Sequence, residues 1–270
     1  MVYLYNLVPG MFGLMVKWAT AVENPALSNT VLISAWVLTA VIAYLLGSLN
    51  SAIIVSRYKY NQDIRSFGSG NAGLTNMHRV YGKDGALWTL LGDIGKQIVS
   101  ILVGVLLLGQ TGAYLAGAFC MIGHIFPVFY KFKGGKGVLT AATMILIIDP
   151  MIFLVLFCIF ALVLLITRYV SLSSIIAALM YPASVEIASV ARTGHGPQFF
   201  ELFFALFVGC LVIFMHRSNI FRIFNNQESK FSFRKKPETQ EILDMEDKEN
   251  DSDNSYYPPA TDRTKKPKKK

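Results

Sequence analysis

The sequence is short of charge. Only 16% of its 270 residues are Asp, Glu, Lys or Arg, against about 25% in ordinary soluble domains. With 53% hydrophobic residues and a mean hydropathy of +0.46, the chain lacks the polar side chains to cover a water-facing surface. A soluble globular enzyme is largely excluded. Acidic residues are scarcest where the chain is most apolar: residues 1–236 hold 8 Asp and Glu against 18 Lys and Arg, and no pair of carboxylates is placed for general acid–base work. Cysteine is scarce and odd in number. Cys120, Cys158 and Cys210 lie far apart inside apolar runs, so neither a disulfide framework nor a metal site follows. The first 21 residues are apolar, but they lack a basic n-region and Lys17 interrupts them. That argues against a cleaved signal peptide and for an interfacial or partly inserted leader over residues 1–30.

Long apolar runs are abundant. A transmembrane helix needs about 20 mostly apolar residues, because the hydrocarbon core is about 30 Å thick and a helix rises 1.5 Å per residue. Seven runs are candidates: 31–56, 86–108, 113–129, 138–148, 151–166, 170–190 and 199–215. The chain is therefore expected to be all-α, a polytopic membrane protein of about seven transmembrane helices filling 31–236. The shortest run, 138–148, ends at Asp149-Pro150, where proline stops a helix. If the helices alternate, the loops 57–83, 131–136 and 167–169 and the segment 217–236 share one side and carry 15 Lys and Arg. The other side carries Lys17 and Arg192. By the positive-inside rule the N-terminus lies outside and the C-terminus in the cytoplasm. Residues 237–270 are polar and charged and read as a disordered cytoplasmic tail. Nothing points to nucleic acid. The basic excess suits anionic substrates and lipid headgroups.

Polar, Gly-rich clusters gather on the cytoplasmic side. The loop from Asp63 to Arg79 contains Gly68, Gly70 and Gly73 with Ser69, Asn71, Thr75 and Asn76. Its Gly68-x-Gly70-x-x-Gly73 matches the dinucleotide fingerprint only formally, since no strand precedes it. Mechanically, glycines let backbone N–H groups approach a phosphate, and the hydroxyls and amides add neutral donors. The second cluster runs from His124 through Gly134, Gly135, Lys136 and Gly137. It is not a Walker A loop, because Gly137 stands where Ser or Thr is required. Further on, Ser171 and Ser174 share a helix face, as do His216 and Asn219. Asp93 and Lys96 are also three apart inside an apolar run and are expected to neutralise one another, since an unpaired charge in hydrocarbon is costly.

Five blocks in order carry a family resemblance: Gly47-Ser-Leu-Asn-Ser-Ala52, Asp63-Ile-Arg with Gly68 to Asn76, His124-Ile-Phe-Pro-Val-Phe with Gly134-Gly-Lys-Gly137, Arg168 to Ser174, and His216-Arg-Ser-Asn-Ile220. From about Val31 to Lys236 the chain resembles the PlsY family of bacterial membrane acyltransferases. The resemblance implies a seven-helix, multi-pass protein of the bacterial cell membrane with a cytoplasm-facing site. That site would move an acyl chain from acyl phosphate to glycerol 3-phosphate, giving lysophosphatidic acid and phosphate in the first acylation step of phospholipid synthesis. It implies no cofactor and no metal, and leaves room for a partner enzyme that supplies acyl phosphate. Catalytic roles would fall to Ser69, Arg79, Lys136, His124 and His216, and substrate binding to Gly68, Gly70, Asn71, Thr75, Asn76, Gly134, Gly135, Ser171, Ser174 and Asn219. Asn225-Asn-Gln-Glu228 departs from the family's Gly-Thr-Glu but keeps the acid. The His-x-x-x-x-Asp pair of other glycerolipid acyltransferases is absent, because Lys83, Phe129 and Phe221 follow His78, His124 and His216 at that spacing. Either a histidine, His124 or His216, or the phosphate of a bound substrate could take the hydroxyl proton. The alternative function is a transporter of an anionic metabolite, against which stand the one-sided motifs and the lack of an internal repeat.

Overall fold

The computed structural model describes residues 25–231 and, before them, residues 10, 11, 14, 15 and 18. The leader expected over 1–30 lies mostly outside the described residues, and the tail expected over 237–270 lies wholly outside them. Among the described residues all regular structure is helical: α1 (Pro25–Ser48), α2 (Ser51–Tyr60), α3 (Leu74–Leu108), α4 (Gln110–Ile125), α5 (Val138–Ile148), α6 (Pro150–Thr167), α7 (Val170–Thr193), α8 (Phe199–Met215) and α9 (Arg217–Phe224). Short 3-10 turns occupy Ile64–Ser66 and Val128–Tyr130.

Five helical stretches are long and apolar enough to cross a membrane: Asn29–Tyr60, Leu74–Leu108, Gln110–Tyr130, Pro150–Thr167 and Val170–Thr193. A sixth, α8 with α9, is bent by 54°. The seventh run, the shortest in the sequence, forms a helix shorter than the other candidates. α5 has 11 residues, about 16 Å of helix, roughly half of the hydrocarbon thickness. Asp149 ends it, accepts a hydrogen bond from the Ile152 amide at 3.2 Å and so caps α6. Pro150 then occupies the first turn of α6, where its missing N–H costs nothing. α5 instead buries Met144 against α4 beside Gly117.

Small residues let the helices approach closely. A Cβ on Gly47 of α1 would stand 2.1 Å from the Cys120 carbonyl oxygen of α4, and one on Gly123 would stand 2.2 Å from that of Tyr44. Such contacts replace the hydrophobic drive that is absent between helices in lipid. The region read as one loop, 57–83, is shorter than expected. α2 runs to Tyr60 and α3 begins at Leu74, but α3 is broken at Gly82, whose φ of 72° lies in the left-handed region. Residues 74–81 therefore form a separate turn of helix that faces the neighbouring loops. At the far end, Arg192 of α7 pairs with Asp149 at 2.6 Å.

Candidate active site

The first loop is built around two side chains. Asp63 accepts hydrogen bonds from Arg65 Nη2 at 2.7 Å and Arg57 Nη2 at 2.9 Å. Those guanidinium contacts, Arg65 first, hold its carboxyl well below the usual range despite burial. Arg65 also donates to the Tyr130 carbonyl at 2.8 Å, clamping this loop to the one after α4. Asn76 organises the rest. Its Nδ2 donates to the carbonyls of Ile64 at 3.3 Å and Phe67 at 3.0 Å, while its Oδ1 accepts from the Ser69 amide at 2.8 Å and Arg79 Nη1 at 3.4 Å. Its amide is fully committed, so Asn76 shapes the loop that presents Ser69 and Arg79.

The second loop folds back on α4. The Gly134 and Gly135 amides donate to the carbonyls of Ile125 and His124, each at 3.1 Å. A Cβ on Gly135 would lie 2.1 Å from His124 Nε2, so glycine is needed there because the backbone touches the imidazole. This packing presents Lys136, which donates to the side-chain oxygen of Asn219. Burial first, then the cations Arg222 and Arg79 against the opposing Glu228, pull the Lys136 ammonium down to about 8.

Glu228 completes the third side. It accepts from Ser171 Oγ at 2.7 Å, Asn219 Nδ2 at 2.6 Å and Arg222 Nε at 2.7 Å. Burial raises its carboxyl, and these three hydrogen bonds outweigh burial, so the group titrates below its ordinary value. A carboxylate only accepts and an ammonium only donates, which fixes the Asn219 amide between Glu228 and Lys136. His216 directs Nδ1 to the Val212 carbonyl at 2.8 Å. That nitrogen carries the proton, and Nε2 keeps its lone pair. Below the loops lies the expected buried pair: Lys96 Nζ meets Asp93 Oδ1 at 2.9 Å. The same ammonium donates to the carbonyls of Gly47 at 3.2 Å and Leu49 at 3.0 Å and to His124 Nδ1 at 2.9 Å.

These groups surround a cavity of about 560 Å³. Ser69, Asn71, Thr75, Asn76 and Arg79 line it from the first loop, and His124 and Lys136 from the second. Ser171, Ser174, His216 and Asn219 line it from the last helices. Gly68, Gly70, Gly134 and Gly135 do not line it and shape the backbone behind it. The polar end continues into an apolar arm bounded by Ile145, Phe153, Ala178, Tyr181 and Val208. Along α7 the arm runs from Ser171 to Tyr181, about 15 Å at helical rise. Asp93, Arg222 and Glu228 also line the cavity, and sequence reasoning left them out of the site. The signal was there for Glu228, an acid in a chain short of acids. Among the described residues no group of three His, Cys, Asp or Glu is placed to hold a metal ion.

The profile of a family described as glycerol-3-phosphate acyltransferase matches residues 37–226. The chain belongs to that family. Among its relatives, the glycerol-3-phosphate acyltransferase of Thermoanaerobacter sp. strain X514 is 41% identical over 194 residues, 72% of this chain and 94% of the relative. That of Exiguobacterium sibiricum is 43% identical over 191 residues, 70% of this chain and 90% of the relative. The crystal structure of PlsY (YgiH), an integral membrane glycerol 3-phosphate acyltransferase in its glycerol 3-phosphate form, superposes with a TM-score of 0.65 at 33% identity. It covers 77% of this chain and 98% of that one. The lysophosphatidic acid form of that protein gives 0.62 at 32% identity, over 73% and 96% of the two chains. The resemblance read from the five motif blocks is thus established, and family membership with several apolar helices makes the chain a multi-pass protein of the bacterial cell membrane. The transporter alternative finds no support among these acyltransferases.

Proposed function

We propose that the chain transfers an acyl group from acyl phosphate to glycerol 3-phosphate, giving lysophosphatidic acid and phosphate for phospholipid synthesis. One observation carries this reading: a single cavity is lined both by the cations Arg79 and Lys136 and by apolar side chains such as Ile145, Phe153 and Val208. Both substrates bear phosphate, which the cations and the Ser69 hydroxyl suit. The acyl chain suits the arm. In the reaction the glycerol hydroxyl oxygen bonds to the acyl carbonyl carbon, the carbonyl–phosphate oxygen bond breaks, and phosphate leaves with the electron pair. An acyl phosphate is a mixed anhydride with a good leaving group, so positioning and charge stabilisation supply most of the rate without a covalent nucleophile.

The hydroxyl proton needs an acceptor. His124 is a poor one, since Lys96 occupies Nδ1 and Gly135 covers Nε2. His216 Nε2 and the phosphate of a bound substrate are the two remaining acceptors. Turnover of His216→Gln against pH separates them: an unchanged profile at full rate assigns the proton to phosphate. The cationic side of the chain faces the cytoplasm in this reading, with the N-terminus outside, so an enzyme making acyl phosphate would deliver it from that side. The deciding assay incubates purified protein with acyl phosphate and labelled glycerol 3-phosphate. Labelled lysophosphatidic acid supports the proposal, and no product from folded protein overturns it.

A further inference from the structure

Asp93 is the one carboxylate lining the cavity from α3. Its side chain is 2% exposed, and two nitrogens face its Oδ1, Lys96 Nζ at 2.9 Å and His124 Nδ1 at 3.5 Å. Lys96 neutralises its charge at 2.9 Å, but the three hydrogens of that ammonium are matched by the Gly47 carbonyl, the Leu49 carbonyl and His124 Nδ1. With those three hydrogens so directed and His124 Nδ1 accepting, Asp93 Oδ1 keeps the ion pair with Lys96 but no well-aligned hydrogen bond of its own. A buried carboxylate short of well-aligned donors is costly and uncommon, and Asp93 lines the cavity.

The chemistry of the cavity narrows what would donate to it. A carboxylate repels phosphate, so the phosphate of the acceptor substrate belongs toward Arg79 and Lys136, and its other end toward Asp93. That end of glycerol 3-phosphate carries two hydroxyls. One becomes the ester oxygen. The C2 hydroxyl survives the reaction and needs an acceptor when it leaves water. Resting on the acyltransferase reading above, we propose that Asp93 accepts a hydrogen bond from the C2 hydroxyl of glycerol 3-phosphate and so selects this substrate over phosphorylated alcohols that lack it. Its ion pair with Lys96 keeps the carboxylate charged and fixed against the break between α1 and α2, whose carbonyls Lys96 holds.

A site built to bond a hydroxyl rejects the analogue without it, because its own polar group is then left unpaired. The test compares glycerol 3-phosphate with 3-hydroxypropyl phosphate, which keeps the reacting hydroxyl and lacks the C2 hydroxyl, at saturating acyl phosphate. The wild type is expected to prefer glycerol 3-phosphate by at least ~10-fold in kcat/KM. Asp93→Asn should shrink that preference to within about threefold, through a raised KM for glycerol 3-phosphate and with KM for acyl phosphate unchanged. Because Asp93→Asn strands the Lys96 charge, the charge-neutral pair Asp93→Leu with Lys96→Met is measured beside it, with the same expectation. A wild type that uses both alcohols equally overturns the proposal without any variant. So does a variant that loses rate while keeping the wild-type preference, since Asp93 would then be structural only. A wild type that acylates neither alcohol instead removes the acyltransferase reading, and this inference falls with it.

Discussion

Lys136 donates a hydrogen bond to the side-chain oxygen of Asn219, 83 residues further along the chain. The contact joins the glycine loop after α4 to the start of α9 across the mouth of the cavity. Asn219 is held in turn by Glu228, which Ser171 and Arg222 also hold. The ammonium is thus aimed by a row of side chains from three separate helices and loops. Preorganised charge of this kind stabilises a phosphate that gains charge as its bond to carbon breaks.

Lys136→Ala is expected to cut turnover by about 10²- to 10³-fold, the loss typical of removing one preorganised charge-stabilising donor. Folding should survive, because Asn219 keeps its bond to Glu228 at 2.6 Å. Product formation and thermal unfolding in the same detergent check both halves. Near-normal turnover would sink the role assigned to the ammonium.

The pH dependence follows from the same group. Burial, its largest cause, brings the Lys136 pKa from 10.5 to about 8. Free enzyme therefore loses the ammonium as pH rises through that value, and kcat/KM should fall on this alkaline limb. Bound phosphate favours the charged form, so the limb in kcat should sit higher. For stability the sign is opposite. Between about 8 and 10.5 the unfolded chain binds more protons at this lysine than the folded one, so its contribution to stability rises with pH. Lys136→Arg, which stays charged, should flatten the alkaline limb. A limb unchanged in that variant would assign it elsewhere.

Composition and apolar runs made the membrane class and most helices legible, because lipid demands long apolar segments and leaves little freedom in reading them. The half-length α5 was harder. Its 11 residues are as apolar as a span; Asp149-Pro150 marked its end in the sequence, and the structure adds that Asp149 caps α6. The motif residues Ser69, Arg79, Lys136, His216 and Asn219 were visible as clusters in sequence, and all line one cavity. Long-range pairing was not visible. Nothing in the spacing says that Glu228 meets Ser171, 57 residues before it. Likewise the role of Gly135 as the surface against His124 emerges only when the loop folds back on α4.

Gly135→Ala tests that fold-back. Its Cβ would meet His124 Nε2 at 2.1 Å and the Ala72 carbonyl at 2.8 Å, so the loop must shift, at a cost of about 1–3 kcal/mol. Lys136 moves with it, and turnover should fall more than stability. Gly95→Ala is the control, with nothing within 4 Å of its Cβ. It should keep both turnover and unfolding temperature.

Asn76→Ala should be damaging in a different way. It removes one hydrogen bond each from the Ile64 and Phe67 carbonyls, which keep those from the Phe67 and Gly70 amides, and the one that the Ser69 amide donates. Each hydrogen bond lost costs about 0.5–1.5 kcal/mol, and the loop presenting Ser69 and Arg79 loses its brace. Expected are a lower unfolding temperature and a raised KM for glycerol 3-phosphate. A variant with normal KM and lowered stability would confine Asn76 to folding.

Glu228→Gln probes the row from its far end. The folded carboxylate titrates below its ordinary 4.5, its three hydrogen bonds outweighing burial. A lowered acid pKa contributes stability that is present above about 4.5 and lost as pH falls through the folded value. The amide can accept from Ser171 or Asn219 but presents N–H groups where Arg222 also donates. The variant should be less stable at pH 7 by about 1–2 kcal/mol, toward the lower end where cavity water screens the pair. Unfolding measured against pH should show that gap closing below 4.5. Glu228 also raises the Lys136 pKa, so losing its charge should move the alkaline limb of kcat/KM to lower pH. A stability gap independent of pH, with the limb unmoved, would show that Glu228 acts through packing and not through its charge.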